Sequence, residues 1–288
     1  MSEVKSRSAK VFQFVVGSFF VVITILALVP ILRVVSISLS SKTAILSGKV
    51  WVVPVGFTAE AYQKAFGNSN FINSFVYSIL ITALYTGICM IMTILAAYPL
   101  SKPGLKGKKL IMTLFVLTMY FDPGTIPNYL NVKSFGFIDT IWALIIPGAL
   151  SAYNLIIMRS FFTGIDRSLY ESAYMDGCTE FKALTKIAIP LAVPAIATLS
   201  LFYAVGRWNG ISDVLYYINR SGLYTVQMML KQMIDSVRIS LEEGSNSQLV
   251  ADNIKAASIV VSMTPMLIAY PFIQKYFTKG IMLGAVKG

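Results

Sequence analysis

The chain has 288 residues, 56% of them hydrophobic and 13% charged, with a mean hydropathy of +0.70 and a net charge of +11. These values belong to the membrane class, where Lys and Arg beside apolar segments explain the positive charge better than nucleic acid does. With no histidine there is no histidine base or histidine-ligated metal, and two distant cysteines, Cys89 and Cys178, predict neither a disulfide nor a metal site.

Residues 1–10 carry Lys5, Arg7 and Lys10, and residues 11–32 form a long apolar run. The run is too long for a signal peptide and no small-residue cleavage site follows, so it is expected to remain as a first transmembrane helix, N-terminus inside. Residues 33–70 are polar, contain Gly48, Pro54 and Gly56, and are expected outside. Residues 72–100 form a second span ending at Pro99, and Lys102, Lys106, Lys108 and Lys109 make the following loop cytoplasmic.

The third span begins near Leu110 and meets Asp122-Pro123-Gly124 after about 13 residues, or roughly 20 Å, against a bilayer core of about 30 Å. The helix must break or kink there, with Pro127 as a second break. Residues 140–162 make the fourth span, with Asp139 or Thr140 as cap and a kink at Pro147. Residues 190–207 open the fifth span, with Pro194 in its first turn. The polar stretch 208–255 lies outside, 256–277 is the sixth span with kinks at Pro265 and Pro271, and 278–288 is a cytoplasmic tail. The expected fold is an all-α membrane protein, with six spans over residues 11–277 and both termini on the cytoplasmic side. The sequence has no evident internal repeat or low-complexity segment.

Between the fourth and fifth spans lies a polar elbow, residues 163–190. Ser168 followed by Glu171 is a capping box that starts a short helix at about Leu169, and Gly177 can end it in the left-handed conformation. Thr179 can cap a second short helix with Glu180 in its first turn, and Pro190 stops that helix or begins the next. Tyr170, Ala173, Tyr174 and Gly177 share one helix face, where the small Ala173 and Gly177 let another backbone approach. Glu171 and Asp176 can pair with basic groups on a partner. The caps alone also fit an ordinary loop of two capped turns.

The full spacing is more specific. Glu171-Ser172-Ala173, three residues, Gly177, nine residues, then Ile187-Ala188-Ile189-Pro190 resembles the E-A-A…G…I-x-L-P loop of the membrane subunits of ABC importers, departing at Ser172 and Ile189. Segments 142–149, 154–162, 203–209 and 274–288 resemble the maltose-type carbohydrate permeases, with closest similarity to the subgroup for complex or acidic oligosaccharides.

The resemblance implies a type I importer permease in a bacterial plasma membrane. Its coupling loop, here Tyr170, Glu171, Ser172, Ala173, Tyr174, Asp176, Gly177, Ile187 and Pro190, docks on a separate ATPase. It further implies a second homologous permease subunit, two ATPase subunits carrying ATP and Mg, an extracytoplasmic sugar-binding protein, and surrounding membrane lipid. No cofactor is expected on this chain and no nucleic acid partner. The tail, with Lys279, Gly284 and Lys287, reaches into the ATPase interface in such a family, or is a frayed terminus. The chain itself lacks a phosphate loop, since Gly104-Leu105-Lys106-Gly107-Lys108 does not have the spacing.

Sugars need aromatic faces and planar hydrogen-bonding groups, and polar residues at membrane depth point to a cavity. Tyr120 and Asp122 sit where the third span breaks, although Asp-Pro-Gly is also a local turn signal. Asn154 lies mid-span, facing either sugar or a neighbouring helix. Arg207-Trp208-Asn209 lies about 25 Å along the fifth helix from Pro190, where Arg207 can pair with a uronate or sialate carboxylate or anchor the helix at the interface. Tyr203 is one turn below. Met228, Met229 and Met233 read as packing or a docking surface.

Three other readings stand against this one. An importer subunit for another solute would share the coupling loop. An intramembrane enzyme would need a catalytic cluster that the sequence lacks. A secondary transporter would carry an inverted repeat.

Overall fold

The computed structural model describes residues 7–242 and 252–285. The described residues are mostly helical, with no strand among them. The elements are α1 (Arg7–Ser38), α2 (Lys42–Leu46), α3 (Glu60–Gly67), α4 (Ser69–Ser101), α5 (Lys108–Tyr120), α6 (Thr125–Ser134), α7 (Trp142–Ile145), α8 (Ala152–Thr163), α9 (Arg167–Met175), α10 (Glu180–Ala183), α11 (Ile189–Leu191), α12 (Val193–Asn209), α13 (Ser212–Tyr217), α14 (Val226–Glu242) and α15 (Asp252–Ala285). Three helices are long and apolar enough to cross a membrane, over Val11–Ser38, Ser69–Ser101 and Asp252–Pro271. Three bent pairs qualify together, which makes six spans when each pair counts as one.

Each bent pair has a local cause. α5 stops at Tyr120, and α6 leaves it at 120°. Gly124 stands at φ 87°, and its N–H is taken by the Asp122 carboxylate at 2.9 Å. Pro127 makes no second break. It lies in the first turn of α6, where a missing N–H costs nothing.

α7 runs into a 3₁₀ turn, Ile146–Gly148, around Pro147, and α8 follows at 53°. Ser151 caps α8 by accepting the Asn154 N–H at 3.3 Å. Neither Asp139 nor Thr140 caps α7, whose N-cap position is Ile141. Asp139, at φ 60°, instead accepts the N–H groups of Asn219 and Arg220. These two bonds hold its carboxyl below the usual carboxylate range.

α10 continues through a π turn, Leu184–Ala188, into α11, which Pro190 opens. The 80° bend to α12 falls after it, at Ala192. Pro194 sits in the first turn of α12, and Pro265 and Pro271 lie inside α15.

Two compact units divide the chain, one of residues 1–72 and 230–263, the other of 73–229 and 264–288. In the first, Ala61 and Ala65 of α3 pack on Ala257, and the Ser38 and Tyr62 hydroxyls meet at 2.8 Å. The buried Ser40 donates to Ser36 O and accepts the Val55 N–H, pinning the loop after α1. In the second, Cys89, Leu155, Met158, Phe162, Leu199 and Tyr203 centre one core cluster, and Ile81, Ile145 and Val214 a smaller one.

The α7–α8 break is closed from α4. Tyr85 donates to Gly148 O at 3.1 Å, and a Cβ at Gly148 would stand 2.5 Å from the Tyr85 hydroxyl. Gly148→Val is therefore expected to destabilise the chain by about 1–3 kcal/mol through overpacking, read as a lowered thermal midpoint in detergent. An unchanged midpoint would show that the ring moves aside freely.

Candidate functional site

The elbow begins two residues earlier than the capping box at Ser168 suggests. Asp166 is the N-cap of α9, its Oδ1 accepting the Ser168 N–H at 3.0 Å, and Glu171 is left pointing into solvent. Gly177 ends α9 at φ 75°, with Cys178 N–H bonded to Ala173 O at 2.9 Å and Gly177 N–H to Tyr174 O at 3.0 Å. This is a Schellman pair, which needs a residue without a Cβ penalty. Thr179 then caps α10, Oγ1 accepting the Lys182 N–H at 3.4 Å.

Part of the Tyr170–Gly177 face turns toward the chain itself, while Tyr174 and Gly177 on it are exposed. Tyr170 is buried and Ala173 half-buried. The ammonium of Lys102, just beyond α4, lies 3.9 Å from the Tyr170 ring centre, 4.6 Å from that of Tyr98 and 5.4 Å from that of Tyr174. It donates to the Tyr174 hydroxyl at 2.8 Å and lies 3.4 Å from Glu180 Oε2, to which Tyr98 also donates at 2.9 Å. Burial pushes the Tyr170 hydroxyl up to about 12, helped by Tyr174 and Glu180. Burial would also raise Glu180, but hydrogen bonds from Tyr174 and Tyr98 and the charge of Lys102 outweigh it and hold the carboxyl below its ordinary value.

The opposite side of the elbow is open. Glu171, Ser172 and Asp176 are exposed, and Met175 is 88% and Phe181 70% exposed. These two apolar side chains thus stand exposed beside the Glu171 and Asp176 carboxylates. Ile187 is half-buried against the core cluster around Leu155, and Pro190 is exposed.

The residues considered for sugar contact separate into two groups. Tyr120, 80% exposed, lies at the α5–α6 break beside Asp122, and Asn209 is exposed with its amide on Val205 O at 3.0 Å. Asn154, Tyr203, Arg207 and Trp208 are buried. The Tyr203 hydroxyl meets Thr93 Oγ1 at 2.8 Å and accepts the Ser151 N–H at 3.1 Å, joining α4 to the start of α8. Trp208 stands edge-on to Phe75, ring centres 6.0 Å apart. Arg207 forms a forked ion pair with Asp213 and donates to Leu144 O at 3.2 Å. Its two terminal nitrogens are thus engaged within the chain, while Nε is buried without a hydrogen-bond partner.

The sequence pattern gives no role to Asp213, and gives Lys102 and Tyr98 none beyond the cytoplasmic charge of Lys102. The i, i+4 spacing of Tyr98 and Lys102 was the available signal for the last two. Among the tail residues, Lys279 and Gly284 lie in α15 with side chains outside the described ones, and Lys287 lies outside the described residues altogether.

Residues 94–283, from the last turns of α4 to near the end of α15, match the family of binding-protein-dependent transport system inner membrane components. The chain belongs to this family. The inner membrane component is 39% identical to the polygalacturonan/rhamnogalacturonan transport system permease protein YtcP of Bacillus subtilis, over 97% of this chain and 99% of that one. It is 40% identical to the protein LplC of the same organism, over 91% and 90%. Among solved structures, it superposes with a TM-score of 0.88 and 32% identity on a chain of a bacterial ABC transporter involved in the import of the acidic polysaccharide alginate, covering 96% of this chain and all of that one.

In this permease the Arg207–Asp213 pair carries a direct expectation. Asp213→Ala leaves a buried cation unpaired and should cost about 3–5 kcal/mol, whereas Arg207→Met with Asp213→Leu should recover most of the loss. Thermal unfolding of the three purified variants measures both, and equal losses in single and double variants would contradict the pairing.

Proposed function

We propose that this chain forms half of the translocation pathway of an ATP-driven oligosaccharide importer whose substrates are uronate-rich fragments of plant or other acidic polysaccharides. The observation that carries the reading is near full-length similarity to a polygalacturonan/rhamnogalacturonan permease and to a chain of an alginate importer. The polymers named for both relatives are acidic.

In this reading the elbow side is cytoplasmic, as are both termini. The open surface of α9 and α10, with Glu171, Met175, Asp176 and Phe181, docks on one of two separate ATPase subunits that hold ATP and Mg. Ile187 and Pro190 pass its movement into α11 and α12. A second permease subunit completes the pathway, an extracytoplasmic binding protein delivers the sugar, and residues 279–287 approach the ATPases. ATP binding moves the elbow and opens the pathway outward, and hydrolysis resets it. Tyr120 and Asp122, at an irregular stretch of backbone that membranes tolerate only against protein or a water-filled cavity, are the favoured sugar contacts. Asn209 is a third. Asn154, Tyr203, Trp208 and Arg207 hold the surrounding helices in register.

The test is uptake by proteoliposomes holding the whole complex with its binding protein. ATP-dependent uptake of labelled oligogalacturonides is expected, with neutral oligosaccharides of equal length taken up less. Glu171→Lys should lower uptake on the order of tenfold, since a like-charge contact or lost pairing at a docking surface costs upwards of about 1.4 kcal/mol. Uptake of a non-sugar solute with no oligosaccharide uptake would establish the alternative, an importer subunit of the same family for a different cargo.

A further inference from the structure

The inward side of the elbow carries a joint that the docking surface does not account for. One cation, Lys102, is held by groups from three segments. α4 contributes the Tyr98 ring, α9 the Tyr170 and Tyr174 rings with the Tyr174 hydroxyl, and α10 the Glu180 carboxylate. All three ring centres lie within the roughly 6 Å reach of a cation–π attraction, and the Lys102 side chain is only 23% exposed. Tyr98 also bonds Glu180 directly and stands edge-on to Phe162 at the end of α8, ring centres 5.8 Å apart. Both helices of the elbow are therefore fastened to the end of α4, the longest span of the second unit, with one ammonium at the centre of the joint and the Tyr98–Glu180 bond beside it. The outward side, with Glu171, Met175 and Phe181, is left unfastened.

We propose that Lys102 is the positioning residue through which a load on the elbow reaches α4, so that the two move as one body when the importer turns over. This rests on the function proposed above for the direction of the load, but the joint itself is a property of this chain. Its chemistry demands a cation and flat rings. Arginine can replace Lys102, because a guanidinium also sits over aromatic faces, whereas glutamine of similar length cannot. Phenylalanine can replace Tyr170, since the ring is kept, whereas leucine cannot.

Two measurements test it on the assembled complex. The first is the number of ATP molecules hydrolysed per sugar imported. Lys102→Gln and Tyr170→Leu should raise that ratio severalfold with hydrolysis continuing, and Lys102→Arg and Tyr170→Phe should keep it near the original value. The second is a spin-label distance between Gly104→Cys and Arg167→Cys, in a background with Cys89→Ser and Cys178→Ser. It should be narrow and unchanged by ATP with Lys102 present, and broad or ATP-dependent with Lys102→Gln. An unaltered ratio and an equally narrow distance in Lys102→Gln would overturn the proposal. If the parent complex imports no sugar, the function proposed above fails, while the distance still decides the joint. If Lys102→Gln does not assemble, the Tyr170→Leu and Tyr170→Phe pair decides it.

Discussion

A peptide group without a hydrogen-bond partner costs several kcal/mol in hydrocarbon, and the second unit is built around that constraint. Three of its spans are broken, so each exposes N–H and C=O groups that a continuous helix would have paired. Short side chains from the same segment answer some of them, as Asp122 does for Gly124 and Ser151 for Asn154. Longer ones reach in from another helix. Tyr85 takes Gly148 O, Tyr203 receives the Ser151 N–H, and Arg207 takes Leu144 O. The polar residues buried among these helices are thus largely the means by which irregular backbone is tolerated at depth.

That accounting explains which parts of the chain could be read in advance. Span positions follow from apolar run length, and the early end of the third follows from Asp122-Pro123-Gly124 alone. The elbow's Gly177 and Thr179 do what their residue types favour locally. Prolines were less legible, because the residue type does not say whether a ring falls in a first turn, as at Pro127, or at a break, as at Pro147. Asp139 does not take the capping role the sequence suggests, and Asp166 takes one it does not suggest. The first is drawn off by Asn219 and Arg220, eighty positions along the chain, and the second, two residues before Ser168, takes the cap in its place.

The residues considered for sugar contact show the same limit at larger separation. Arg207 beside Trp208 and Asn209 has the composition of a carbohydrate or carboxylate site. Its carboxylate comes from this chain, six residues on, because Gly210 turns the backbone and α13 brings Asp213 back beneath the guanidinium. Nothing in the local pattern separates an arginine awaiting a ligand from one already paired. Tyr170 and Tyr174 were placed on one face correctly, but which way that face points is decided by Lys102, sixty-eight residues earlier. Periodicity fixes a stripe; the identity of its neighbour is a tertiary fact.

The first helix is different in kind. None of the side chains in its most apolar window is buried by the rest of the chain, so its stability draws on surroundings that the polypeptide does not supply. In a detergent particle the micelle becomes a structural component in its own right, and its acyl length must match an apolar stretch of 28 residues. Preparations that look equally folded by helix content can then differ in how this rod is sheathed. A chain synthesised ahead of its companions would offer a long greasy stave to whatever protein or lipid comes first.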